Sequence, residues 1–391
     1  MKFHRRHALL ATAAAMLSAS ALTAVAQPVK VGIVGPFSGP FAHFGTLFKG
    51  GVESYIASQN GKLAGNEIEL IYRDTGGPNP GGTRALVQEL VVKDKVDYIG
   101  GFVFTPNAMS VAPVIQQSKT PTVIFNAATS SINEKSDYFI RTSYTLWQVT
   151  VPLAQWAVKQ NIKRVVTAVT DYGPGIDAEN AFKAEFAKQG GTVVESIRMP
   201  IATTDFAPFV QRIKATGAQA VYTFLPGGPP NLGFVKAYNE NGLANAGIQF
   251  MGTAEMDEFD LQKFGDAAVG LTTSFHYSAA HDSETNRKFV ALLKEKAPAA
   301  VANYAAVGAW DGMYVIHKMI EATGGQRDGD KAMAAAKSLK WESPRGPVSI
   351  DPKTRHITQN VYLRKVEKTP AGLINREVEN FGPQRDHGTA P

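Results

Sequence analysis

The chain of 391 residues contains no cysteine. Disulfides are therefore excluded in any compartment, and so is lipid attachment at a leader-cleavage site, which needs a Cys thiol. After residue 26 no stretch approaches the roughly 18 consecutive apolar residues that mark a membrane-spanning helix. There is no Lys/Arg block of the kind that grips nucleic acid. Catalytic signatures are also missing. The pattern G-x-x-x-x-G-K-[ST] does not occur, and the Gly-rich segment GPFSGPFAHFG (residues 35–45) lacks G-x-G-x-x-G spacing, so no nucleotide cradle is present. In Gly35-Pro36-Phe37-Ser38-Gly39 the serine falls one place too late for a nucleophile elbow. The eight histidines are scattered; His276 and His281 are five apart, not the i,i+4 pair that puts two metal ligands on one helix face. The segment DYGPGID (residues 171–177) has glycines where a calcium loop needs further oxygen ligands. No metal, no cofactor and no enzymatic activity are expected.

What the sequence does contain begins at the N-terminus. Lys2, Arg5 and Arg6 precede an uncharged run, Ala8 to Ala26, that ends in Ala24-Val25-Ala26. A basic start, an apolar middle and a small-residue cleavage site make residues 1–26 a secretory signal peptide. The pair Arg5-Arg6 leaves both the general and the twin-arginine export routes open. Removing the leader takes away three basic residues from 40 and no acid from 34, leaving a net charge of +3. With 44% hydrophobic and 19% charged residues, the remainder is of ordinary globular composition. About 365 residues exceed one typical core, so two domains are the default. No Ser/Gly-rich linker separates them.

The chain then alternates strand-like and helix-like runs. Val29–Val34 reads as a buried strand, Thr46–Gln59 as a helix, Glu67–Tyr72 as a strand and Thr83–Lys93 as an amphipathic helix. A strand at 97–100, a helix at 107–118 and a strand at 121–125 continue the order. It restarts with strands at 163–170, 192–199, 218–224 and 248–252, separated by helices at 176–189, 205–216 and 231–240. This βαβα order predicts parallel sheets flanked by helices. The strand ends VGIVGPFSG and TAVTDYGPG, IGGFVFTPN and YTFLPGGPP, VIFNAATS and QFMGTAEM correspond pairwise. Two similar α/β lobes are expected, with their ligand at the carboxyl ends of both sets of strands.

The loops at those ends carry binding chemistry. Ser38, Thr105, Thr129 and Ser130 offer hydroxyls at strand-to-helix turns, where helix caps are the competing role. Phe41, Phe44, Phe102, Phe104 and Tyr172 lie among glycines in the same loops, a pattern that suits an apolar pocket with a few orienting polar groups.

VKVGIVGPFSGPFAHFGTLFKGGVESYI, the Arg73–Thr75 segment with TRALVQELVVKDKVDYIGG, PTVIFNAATS, VTDYGPGIDAENAFKAEFAKQGG and ANYAAVGAWDGMYVI together span nearly all of the chain after the leader. They resemble the periplasmic leucine/isoleucine/valine-binding proteins of ABC importers. The resemblance implies the type I periplasmic-binding-protein fold: two Rossmann-like lobes with parallel sheets, joined by three crossovers and closing on a ligand by hinge motion. It places residues 28–145 and 275–345 in the first lobe, 146–274 and 346–379 in the second, and leaves 380–391 as a flexible tail.

Carried over residue by residue, the family pattern assigns the grip on a ligand carboxylate to Thr129 and the backbone of Ala127. Phe104 stands where relatives have a second carboxylate-binding hydroxyl, and the adjacent Thr105 is the substitute. Phe44, Tyr172 and Tyr304 fall at aromatic positions of the pocket. Glu255, with Asp257 as the alternative register, is the expected partner for a ligand ammonium. Phe104 and the loop Leu225–Pro230, which lacks the family's aromatic, depart from the pattern and shift the ligand towards something flatter. The resemblance therefore implies a periplasmic, monomeric receptor for a small carboxylate, either a branched or aromatic amino acid or an aromatic acid. It would serve an inner-membrane ABC permease, with no nucleic-acid partner. A periplasmic sensor of the same fold is the second reading.

Overall fold

Val29–Gly35 (β1) is an almost unbroken apolar run, and it lies inside a parallel sheet where both faces are covered. The computed structural model describes residues 27–388; the leader read in residues 1–26 lies outside them. After β1 come α1 (Ala42–Ser58), β2 (Lys62–Leu63), β3 (Asn66–Asp74), α2 (Pro80–Val92), β4 (Tyr98–Gly101), α3 (Thr105–Ser118), β5 (Thr122–Ile124) and β6 (Phe139–Arg141). The first sheet has the order β2-β3-β1-β4-β5-β6, parallel throughout except for the short β2–β3 hairpin.

The chain then crosses to the second lobe through α4 (Leu146–Lys159), closed at its start by a capping box between Thr145 and Gln148. There follow β7 (Arg164–Thr170), α5 (Gly173–Lys188), β8 (Thr192–Met199), α6 (Ala207–Ala215), β9 (Ala220–Phe224), α7 (Pro229–Glu240), β10 (Gln249–Gly252), α8 (Leu261–Phe264) and β11 (Thr272–Phe275). The strands β8-β7-β9-β10-β11 pair in parallel. A return passage carries α9 (Glu284–Lys296), α10 (Tyr304–Thr323) and α11 (Gly329–Ala336) back to the first lobe, where α10 packs on α1. Gly51 makes that packing possible, because a Cβ there would collide with the Ala306 carbonyl. The chain ends on the second sheet with β12 (Lys340–Ser343), β13 (Gly346–Ile350), β14 (Ile357–Thr369) and β15 (Gly372–Gln384), all antiparallel.

The α/β architecture with two mostly parallel sheets is the one expected. The segment boundaries differ at two places. Lys340–Ser343, expected in the first lobe, pairs with Gly346–Ile350 on the second sheet. Residues 380–384, expected in a loose tail, continue β15, and Gln384 pairs with Gln359. The polar composition of that segment is the pattern of an outer strand in contact with water, not of an unpaired tail.

Helix starts also move. α1, α2, α3, α5 and α7 begin two to four residues before their apolar periodicity does. In α2, α3, α5 and α7 a proline occupies the first turn, where its missing N–H costs nothing and its fixed φ is helical. The residues that read as loop punctuation are thus first turns, and this brings the helix N-termini up to the strand ends.

Candidate ligand-binding cleft

Strand order reverses at β1 in the first sheet and at β7 in the second, and the carboxyl ends of both face one seam. A narrow cavity of about 20 Å³, little more than a water molecule needs, lies in that seam. That is far below the ~300–1,000 Å³ typical of small-molecule sites, so the lobes must part to seat a ligand. The first lobe supplies Phe44 from α1, Val103 and Phe104 from the loop after β4, Asn126 from the loop after β5, and Tyr304 at the start of α10. The second lobe supplies Tyr172 after β7, Phe224 to Gly227 after β9, and Ala254 after β10. Tyr144, in the first crossover, completes the wall. Larger clefts lie elsewhere, around Asn133–Arg355 and Glu258–Asn375, but neither collects strand ends from both sheets.

The wall is an aromatic box. Tyr144 and Tyr304 stand nearly perpendicular with centroids 6.0 Å apart, and Tyr304 meets Phe44 edge-on at 6.3 Å. Across the seam Tyr172 lies almost parallel to Phe224 at 6.2 Å. Phe104 is backed by Phe41 at 4.9 Å. Burial raises the pKa of the Tyr144, Tyr172 and Tyr304 hydroxyls, so all three stay protonated and available as donors. Tyr144 is held from below by Arg141, which is fully buried and donates to the carbonyls of Tyr144 (3.0 Å) and Thr129 (2.6 Å). Burial lowers that guanidinium's pKa to about 10, and Asp386 and Asp177 oppose the shift.

Of the residues singled out in the sequence, Phe44, Phe104, Tyr172 and Tyr304 line this cavity; Thr105, Ala127, Thr129 and Glu255 do not. The Ala127 N–H donates to the Phe102 carbonyl at 2.9 Å. Thr105 and Thr129 share a hydrogen bond of 2.9 Å with each other. They face Gly173 of the second lobe instead: a Cβ at Gly173 would lie 2.8 Å from Thr129 Oγ1. Glu255 is fully buried behind the wall, accepting from the backbone N–H groups of Leu225 (3.1 Å) and Thr253. Burial pushes its pKa up to about 8 against the pull of those amides. Glu255 is thus held by backbone donors behind the wall and does not line the cavity. Asp257, the other register, accepts from Asn303 across the seam at 2.9 Å and from the Phe259 N–H at 3.0 Å. Val103, Asn126, Tyr144, Phe224 and Ala254 are wall residues that the sequence reading did not pick out.

The seam is closed by further contacts between the lobes. The Ser130 N–H donates to Asp177 at 2.9 Å, and His43 stacks on Phe259 with centroids 4.7 Å apart.

Residues 28–371 match the family model described as periplasmic binding protein. A Brucella melitensis protein named Leu/Ile/Val-binding protein homolog 6 is 52% identical over 384 residues, 96% of this chain and 97% of its own length. A solute-binding protein of an ABC transporter from R. palustris, solved in complex with 4-hydroxybenzoate, is 54% identical with a TM-score of 0.90, covering 93% of this chain and 99% of that one. Another, from Rhodopseudomonas palustris BisB5 with 3,4-dihydroxybenzoic acid, is 42% identical with a TM-score of 0.88, covering 92% and 99%. Two sheets meeting at one aromatic cavity and these matches over nearly the whole chain lead to one conclusion: it belongs to the periplasmic binding protein family, as a substrate-binding protein of an ABC transporter.

Proposed function

We propose that the chain is exported by its N-terminal leader and acts in the periplasm as a monomeric, non-enzymatic receptor for a small aromatic carboxylate of the benzoate class. Closure of the lobes on that ligand creates the form that an inner-membrane ABC permease accepts.

The observation that carries this reading is the wall itself, with six aromatic rings, three tyrosine hydroxyls and no carboxylate among its residues. An amino acid would bring an ammonium group into the cavity, and a buried cation without an anion partner is costly. Glu255 stands behind the wall on backbone amides with a raised pKa, so it does not answer that need. A benzoate has no ammonium. Its ring packs against Phe and Tyr faces and edges, and its carboxylate takes charge-assisted hydrogen bonds from hydroxyl donors. The two R. palustris proteins, whose ligands are hydroxylated benzoates, support the same ligand class.

The test is a melting and calorimetric screen of residues 27–391. Benzoate and its hydroxylated forms are compared with leucine, isoleucine, valine and phenylalanine. A ligand at a hundred times its Kd stabilises the native state by about 2.7 kcal/mol. The expected outcome is an upward shift of about 3–4 °C with benzoates and none with the amino acids. A shift with leucine or valine and none with any benzoate would overturn the reading.

A further inference from the structure

Asn126 is 7% exposed and is one of the residues that line the cavity. Its Nδ2 donates to the Val103 carbonyl at 3.1 Å. Val103 O is an acceptor that the opposite amide orientation would leave facing another oxygen, so this bond fixes which way round the amide lies. Oδ1 is thereby directed away from Val103. It is buried and has no hydrogen-bond partner among the described residues.

The polar groups of the wall thus differ in sign. Tyr144, Tyr172 and Tyr304 bring hydroxyl donors, whereas Asn126 Oδ1 is an acceptor without a donor. A carboxylate is repelled by a carbonyl oxygen and belongs with the hydroxyls. A buried acceptor left empty is a standing penalty, relieved only when the ligand or a water brings an N–H or O–H. Apart from the three tyrosines, no other residue of the wall has a side-chain donor, and none of the three hydroxyls pairs with Oδ1.

We infer that Asn126 is a specificity-determining residue whose Oδ1 accepts a hydrogen bond from a ring hydroxyl of the ligand, so that the site selects hydroxylated benzoates over benzoate itself. The inference rests on the aromatic-acid reading above and sharpens it. Unsubstituted benzoate fills the same space and satisfies the hydroxyl donors, yet it leaves Oδ1 unpaired. The asymmetry is that of a site built to hydrogen-bond a substrate hydroxyl, which rejects the analogue lacking it more strongly than an apolar pocket rejects a missing methylene.

The experiment is calorimetric titration of the wild-type chain with benzoate, the three hydroxybenzoate isomers, and the fluoro and amino analogues of the isomer that binds tightest. Fluorine resembles a hydroxyl in size but cannot donate; an amine can. The expected result is one hydroxybenzoate at least tenfold tighter than benzoate, with the gain lost in the fluoro analogue and largely kept in the amino analogue. In Asn126→Leu, hydroxybenzoate and benzoate should bind within about twofold of each other. Asn126→Ser is the second variant, in case Leu perturbs the loop. It keeps a small polar side chain that falls short of the hydroxyl, and the same loss of discrimination is expected. Equal binding of benzoate and all three hydroxybenzoates to wild type would overturn the inference alone, and would mean that a water pairs with Oδ1. So would discrimination that survives in both variants. Failure of every benzoate to bind would overturn the aromatic-acid reading and, with it, this inference.

Discussion

His43 is a half-buried imidazole on the seam between the lobes, with Phe44 at 4.4 Å on one side and Phe259 of the second lobe stacked at 4.7 Å on the other. Burial is the main cause that lowers its pKa, to about 4; Asp260 acts against the shift and Lys263 with it. With the lobes apart the ring is hydrated and titrates near its ordinary 6.5. The closed form therefore binds fewer protons than the open form between pH 6.5 and 4, and acid favours opening. Wild-type affinity is expected to fall by up to about tenfold between pH 7.5 and 5.5, a range in which a carboxylate ligand stays ionised. His43→Phe, which keeps the stacked ring and loses this titration, should lose less affinity than wild type over the same range. Calorimetry at the two pH values checks both. At this scale the sequence pointed to Phe44, Phe104 and Tyr172 as rings clustered with glycines and hydroxyls in the loops, and the family resemblance added Tyr304. It did not point to Asn126. In NAATS the hydroxyls draw attention, and what frees Asn126 Oδ1 is a carbonyl 23 positions earlier in the chain. Tyr144 carried no signal at all, since its place in the wall comes from a crossover and not from a strand end.

At the scale of elements, the α/β alternation and the two sheets were legible because buried parallel strands and amphipathic helices have distinct periods. The first turns of the helices were not. Gly-Pro pairs look like breakers in a sequence, and only the fold shows them as N1 and N2 positions. The consequence is clearest at α5. Gly173 opens this helix against the Thr105–Thr129 pair of the other lobe, and an added Cβ would sit 2.8 Å from Thr129 Oγ1 and 3.3 Å from Thr105 Cγ2. Gly173 is not among the positive-φ glycines, so alanine suits the helix itself. Gly173→Ala is expected to leave the ligand-free melting temperature unchanged or slightly raised, while weakening ligand binding severalfold by wedging the seam. Melting curves with and without 4-hydroxybenzoate separate these effects. A drop in both would mean that the glycine serves folding rather than closure. Under the expected outcome Thr129, which the family resemblance assigned to the carboxylate, and Thr105, the substitute for the hydroxyl missing at Phe104, would act through the fit of the lobes.

At the scale of the whole molecule, a polar knot sits where the crossovers converge. Arg345, in the turn between β12 and β13, is fully buried, as is Asp311 of α10, and they pair at 2.5 Å. The same guanidinium donates to the carbonyl of Thr142 (2.7 Å) in the first crossover and to Gln359 (2.8 Å) on β14. His276, just past β11 in the second crossover, lies 3.1 Å from it. Asp311 is further satisfied by Ser343 (2.7 Å) and by the Trp341 indole (2.8 Å). One side chain thus ties both lobes to two connecting passages. None of this was visible in the sequence, where Arg345 lies in an unremarkable Pro-Arg-Gly turn and its acid is 34 residues away. A buried ion pair with its remaining donors satisfied is costly to break from one side, since the surviving charge is left uncompensated. Arg345→Met should destabilise the chain by about 3–5 kcal/mol, read as a lower urea midpoint. Adding Asp311→Leu removes the stranded charge, and much of the lost stability should return. Ligand binding is where the two variants should still resemble each other. Neither retains the guanidinium that pins the first crossover, which carries Tyr144, and both should bind hydroxybenzoate less tightly than wild type even where stability has recovered. If the double variant recovers affinity together with stability, the knot only holds the fold; if affinity stays low, the knot also sets the axis on which the lobes close.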